Sequence, residues 1–172
     1  MKQKILNNLK NIKGWKTNRK LVVISVDDYG NVRLNSKDAF KKMNKTGVIA
    51  NARFDHCDAL ETREDLEALY DVLSSIKDKN DRHAVFTPFA IPCNINFEAM
   101  KENGYQKYIY ELLPETFGKL EQQLPNDYAG TWSLWKEGID KGLMKPQFHG
   151  REHFNLEVFN EKLKENDTSL LL

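Results

Sequence analysis

The run Leu21-Val22-Val23-Ile24-Ser25-Val26, rich in β-branched side chains and followed at once by Asp27-Asp28, constrains this chain more than any other feature. Apolar at both alternating sets of positions, it predicts a strand buried on both faces, and such strands belong to parallel sheets covered by helices. The Asp27-Asp28-Tyr29-Gly30-Asn31 segment that ends it predicts a polar loop with a glycine turn.

The rest of the sequence alternates in the same manner. Ser36 is placed to cap a helix through about Asn44, closed by Gly47, and residues 48–54 suit a second strand. Thr62 is a plausible N-cap. After it Leu66, Leu69, Tyr70, Leu73 and Ile76 recur at three- and four-residue intervals, the stripe a helix lays on a sheet. Residues 84–87 predict a third strand, ended by Pro88 and Pro92, which a central ladder does not accept. Residues 96–124 are helix-rich with interruptions at Gly104 and Pro114, and 131–142 predict a helix carrying Trp132 and Trp135. A short strand at 145–148 and a last helix capped by Asn155, at 156–165, complete the pattern. Strand–loop–helix alternation predicts an α/β fold with a mainly parallel sheet or a barrel. Folds of this class place their chemistry in loops beyond the carboxyl ends of the strands.

Composition excludes several classes. A chain of 172 residues, 40% hydrophobic and 30% charged, is one domain's worth of globular sequence, and a net charge of +1 gives no reason to expect nucleic acid. Cys57 and Cys93 stand far apart without a Cys-x-x-Cys pair, which excludes a zinc-finger framework and suits a reducing compartment. No apolar run is long enough to span a membrane. Residues 1–20 are basic, with Ile5, Leu6, Leu9 and Ile12 at helical spacing. They predict a basic amphipathic helix, docked on the domain by its apolar stripe or, as the less favoured alternative, lying on a membrane surface, and lack the apolar core of a secretory signal, so a cytoplasmic location is expected.

Two constellations carry chemistry. Adjacent carboxylates such as Asp27 and Asp28 repel one another unless a positive charge holds them, and a divalent cation is one such charge. Taken alone, the pair is more simply a solvated turn. In His149-Gly150-Arg151-Glu152-His153 two imidazoles four residues apart can converge on one metal from a helical turn or a tight loop. The glutamate adjoins the second histidine, so the pattern is not that of a zincin protease. Both constellations follow strand-like runs, and jointly they favour a metal site.

The string Val23-Ile24-Ser25-Val26-Asp27-Asp28-Tyr29-Gly30 resembles the Asp-Asp-Gly signature of the polysaccharide deacetylases (the NodB-homology group), and His149 with His153 matches that family's second signature. The pair is also similar to the Asp-Asp-Phe-Gly segment of the YdjC-type carbohydrate deacetylases. The resemblance implies a partial or distorted (β/α) barrel and a divalent metal, most often zinc. By position it implies Asp27 as catalytic base, and Asp28, His149 and His153 as metal ligands. The implied reaction is metal-assisted hydrolysis of the acetamide of an N-acetylated carbohydrate. Tyr29 intervenes where the family has glycine, and the family's three later motifs, including the histidine that serves as general acid, have no counterpart between His153 and Leu172. A deacetylase-like domain over residues 1–172, lacking C-terminal barrel elements, is therefore expected.

The alternative is a catalytically incomplete homologue that binds carbohydrate or a partner chain, with homo-oligomers formed through the open barrel edge. By adjacency Arg151 and Glu152 are candidates to orient the ligands or Asp27. His56 is a candidate extra ligand, since YdjC-type proteins take one histidine from an earlier loop. His83 suits a solvated turn, Cys57 and Cys93 suit small buried apolar residues, and Trp132 with Trp135 suit core packing ahead of sugar stacking.

Overall fold

In the computed structural model, which describes residues 12–34, 37–47 and 59–167 together with Leu6 and Leu9, helices alternate with short strands. The order is β1 (Ile24–Tyr29), α1 (Lys37–Thr46), α2 (Arg63–Ser75), β2 (Phe86–Ala90), β3 (Cys93–Ile95), α3 (Phe97–Glu102), β4 (Tyr110–Leu112), α4 (Leu113–Gln123), α5 (Pro125–Tyr128), α6 (Thr131–Asp140), β5 (Gln147–Phe148) and α7 (Leu156–Lys164). Strands β1, β2 and β5 form a parallel sheet in that spatial order, and β3 pairs antiparallel with β4. The expected parallel α/β alternation is thus present. Among the described residues the parallel sheet has three strands and does not close on itself.

The core lies between this sheet and the layer formed by α2, α4 and α6. A capping box starts α2: Thr62 Oγ1 accepts from the Asp65 N–H, and the Asp65 carboxylate accepts from the Thr62 N–H. Its stripe then buries Leu66, Tyr70 and Leu73, as the periodicity predicts, whereas Ile76 falls beyond the last turn and stays exposed. Helix α6 approaches closely because Gly138 has no side chain: a Cβ there would meet Tyr70 Oη at 2.2 Å. The Tyr70 hydroxyl instead donates to Leu134 O at 2.9 Å. Trp132 and Trp135 stack with Phe117 in this layer, which is the packing role expected of them. Tyr29 enters the same cluster from β1, with ring centroids 5.4 Å from both Phe86 and Trp135. The residue next to Asp28 is thereby bolted to the core.

Four expectations need correction. Leu21, Val22, Val23, Ile24 and Val26 are exposed rather than buried on both faces. The strand begins only at Ile24 and extends through the aspartates to Tyr29; among the described residues it sits at the edge of the sheet, with β2 pairing it on one side. Pro88 does not end its strand but lies inside β2, the central one, fully buried. Phe86 exchanges backbone bonds with Leu143 and Lys145, and the Ala90 carbonyl accepts from His149; Pro88, at the same alternation, faces the interruption between these contacts, where no N–H is required. The 96–124 stretch contains strand β4, paired with β3 just ahead of the stretch, and Pro114 opens α4 instead of breaking a helix, since the first turn needs no proline N–H. Finally, of the N-terminal stripe Leu6 and Leu9, which are helical, and Ile12, in a turn, are exposed rather than docked, while Ile5 lies outside the described residues. The strand expected at 48–54, Ser36, and the candidate residues His56 and Cys57 lie outside the described residues.

Candidate metal centre

The carboxyl ends of β1 and β5 face one another across β2, and the two chemical motifs meet there. In a regular strand Asp27 and Asp28 would point to opposite faces. Here the β1–β2 register shifts between Val26 and Tyr29, and Asp28 adopts a left-handed backbone with φ 54°. Both carboxylates consequently reach one imidazole: His149 Nε2 lies 3.0 Å from Asp27 Oδ1 and 3.3 Å from Asp28 Oδ1.

His149 is fixed from behind. Its N–H donates to Ala90 O at 3.1 Å, which prolongs the β2–β5 ladder by one residue, and its ring packs edge-on to Phe89. Gly150, at φ 98°, then turns the chain, and Arg151 O accepts from the Cys93 N–H at 3.1 Å. This tight loop, not a helical turn, returns His153 to within 3.0 Å of Asp28 Oδ1 through its Nε2. The two imidazole rings stack 5.9 Å apart at 23°.

Ligating atoms of Asp28, His149 and His153 all lie within 4.8 Å of one another. Asp28 Oδ1 is buried and accepts no hydrogen bond, although two imidazole nitrogens stand within 3.3 Å of it. A buried carboxylate oxygen without a donor calls for an explanation, and a cation is the simplest one. Ligand atoms around tetrahedral zinc stand about 3.3 Å apart, close to the spacings here. One carboxylate with two imidazoles fits zinc with an open position and also suits ferrous iron. The described residues therefore fit a single divalent cation without identifying the metal. Arg33 gives Asp28 some balancing charge, at 3.7 Å from Oδ2.

Asp27 stands outside this group of three, with its side chain 70% exposed. Arg151 and Glu152 do not orient the imidazoles or Asp27 through any contact seen here. They form a bidentate ion pair with each other, and the guanidinium lies over the Tyr110 ring. Their effect on the site runs through the shape of the 149–153 loop. His83 is exposed, paired by a bridge with Lys77, and Cys93 is buried with its thiol pushed up by burial, consistent with a packing role.

Two residues with a part at this site carried no signal in the sequence. Asn94, 3% exposed, holds the loop that follows Asp28: its Oδ1 accepts from Val32 N–H at 2.8 Å and its Nδ2 donates to Gly30 O at 3.0 Å. Glu61 lines an open cleft of about 390 Å³, together with residues 26–31, Ala59, Leu60 and Asp65. The cleft adjoins the metal ligands through Asp27 and Asp28, and its size falls in the range usual for small-ligand sites. Burial raises the Glu61 carboxyl to about 7, against hydrogen bonds from Trp135 and Tyr29 that favour the ion. The capping-box threonine that follows it marks the residue as a helix entry, but nothing local announces that tertiary contacts will partly bury it.

No helix among the described residues is long and apolar enough to cross a membrane. Comparison of the chain with known protein families, with curated proteins and with solved structures finds no match to any of them.

Proposed function

We propose that the chain is a metal-dependent hydrolase that removes acetyl groups from N-acetylated carbohydrate. The observation that carries this reading is the convergence of Asp28 Oδ1 with the Nε2 atoms of His149 and His153, beside the exposed carboxylate of Asp27 and next to a cleft. The resemblance of the Asp27-Asp28 and His149–His153 motifs to the polysaccharide deacetylases supplies the substrate class. On this reading the three parallel strands are an arc of the deacetylase-type barrel.

Asp28, His149 and His153 would hold the cation, most suitably zinc. That cation supplies Lewis acidity for activating water and polarising the acetyl carbonyl. Asp27 accepts the proton of the attacking water, for which its exposure and its place at the rim are appropriate. Water oxygen bonds to the acetyl carbon, the C–N bond breaks, and a proton must reach the departing amine. Tyr29, locked against Phe86 and Trp135, keeps the bend at Asp28 in place while this happens.

The test is a titration of the chelator-stripped chain with zinc, joined to an assay of acetate release from N-acetylglucosamine oligomers. Expected are one equivalent of zinc per chain and turnover only when loaded. His149→Ala or His153→Ala should weaken zinc binding by more than the roughly 10–100-fold typical of losing an outer-sphere partner. Asp27→Asn should keep the zinc and lose about 100-fold or more in rate. A chain that takes up no zinc, or whose uptake ignores both histidines, refutes the proposal.

The second reading, a binding module without turnover, draws on the open sheet. Ile24, Val26 and Phe148 are exposed, as an edge that engages another chain or a second copy of this one would be. It predicts zinc loading with no acetate released.

A further inference from the structure

Amide hydrolysis at this site needs a second proton carrier, because an amine leaves poorly as its anion. The groups around the cleft narrow the choice. Asp28 is committed to the cation, and Asp27 begins the reaction by receiving a proton. Asp65 spends its carboxylate on the Thr62 N–H and hydroxyl, bonds that hold it ionised and unable to donate. The Tyr29 hydroxyl is pushed far above its ordinary value by burial and by the facing Glu61, too weak an acid to serve. Glu61 remains.

We propose that Glu61 is the catalytic acid of the hydrolysis inferred above, donating its carboxyl proton to the amine nitrogen as the C–N bond breaks, from the cleft whose lining it shares with Asp27. The proposal rests on the hydrolase reading and adds the donor which that reading lacks. The placement is rigid on both sides. Leu60 is buried and its carbonyl accepts from the Tyr128 hydroxyl at 3.1 Å, while Thr62 is the N-cap of α2. The Trp135 indole N–H donates to Oε1 from α6. Tyr29 of β1, Asp65 and Tyr70 of α2 and Tyr128 of α5 are the titratable groups that act on Glu61 or respond to it. Burial among them keeps the carboxyl protonated to about pH 7, in the range where a general acid works well. The proton count closes: Asp27 takes one proton from water, Glu61 gives one to nitrogen, and exchange of one proton with solvent restores both.

The experiment compares an amide with an ester on the zinc-loaded full-length chain. N-acetylglucosamine oligomers need leaving-group protonation; 4-nitrophenyl acetate, whose phenolate leaves unaided, does not. Glu61→Gln should lower acetate release from the oligomers roughly 100-fold or more, while ester hydrolysis changes by less than about threefold. Asp27→Asn should depress both. Equal losses of Glu61→Gln on the two substrates, or an unaltered amide rate, overturn the assignment and leave the hydrolase reading standing. Absence of turnover by the zinc-loaded wild type on either substrate overturns both together. Tyr29→Phe supplies a readout with the carboxyl in place. Loss of a donor to the carboxylate raises the proton affinity of Glu61, so the alkaline limb of kcat/KM for the amide should move to higher pH. A limb that stays where the wild type has it overturns the assignment.

Discussion

Two polar clusters sit on either side of the loop that follows β1, and they are built on opposite principles. On one side Asn94, Thr116, Glu111 and Lys119 form a chain in which each buried group finds its partner. Asn94 bridges Val32, Gly30 and Thr116; the Thr116 hydroxyl donates to Glu111 at 2.9 Å; Lys119 binds Glu111, Glu98 and Asn96. On the other side Asp28 Oδ1 stands buried and without a hydrogen bond between two imidazole nitrogens. A satisfied network holds a fold together, whereas acceptors left facing one another are held apart from their best state until something joins them. The first cluster builds the loop and the second uses it.

That contrast can be broken by substitution. The largest effect on stability is expected at Asn94→Ala, which strands the Val32 N–H and the Gly30 carbonyl and removes one donor to the Thr116 hydroxyl; it should cost about 2–4 kcal/mol in denaturant unfolding. A loss below about 0.5 kcal/mol would mean the network is ornamental. Next comes Gly30→Ala. Gly30 has φ 89°, and a Cβ there would lie 2.9 Å from Leu113 Cδ2 and 3.3 Å from Ile91 O, so about 1–2 kcal/mol should be lost. Smallest is Asp28→Asn in metal-free protein, since asparagine also tolerates the left-handed backbone and the substitution removes a charge beside Asp27. Its unfolding midpoint should move by no more than about 0.5 kcal/mol, although the same change should abolish tight zinc binding. Should Asp28→Asn instead destabilise the metal-free chain as much as Asn94→Ala, the two clusters would be one structural network.

The sequence made the three candidate metal ligands legible for a physical reason. Carboxylates and imidazoles are costly to gather at strand ends, so motifs of that kind stand out against a globular background, and parallel topology sends successive strands to a common rim. The α2 stripe was legible because a helix repeats its period over several turns. Less was visible where the fold rests on pairs distant in sequence. Cys93–Ile95 and Tyr110–Leu112 are too short to show alternation, so their pairing, and with it the Asn94–Glu111 network, left no pattern. Pro88 misled because the rule against proline in central strands concerns a missing donor, and here no acceptor awaits it. The run from Leu21 to Val26 misled in the opposite sense: its composition suits burial, yet nothing among the described residues covers it.

The left-handed twist at Asp28 separates two neighbouring aspartates by how freely each can drift. Asp28 must satisfy its own left-handed backbone as well as the ligand role proposed for it, so the side chains that can stand at this position are few. Asp27 carries no such obligation. On the proposed reading, relatives without turnover should therefore lose the first aspartate of the pair before the second, and a surviving Asp28 would by itself be poor evidence of catalysis.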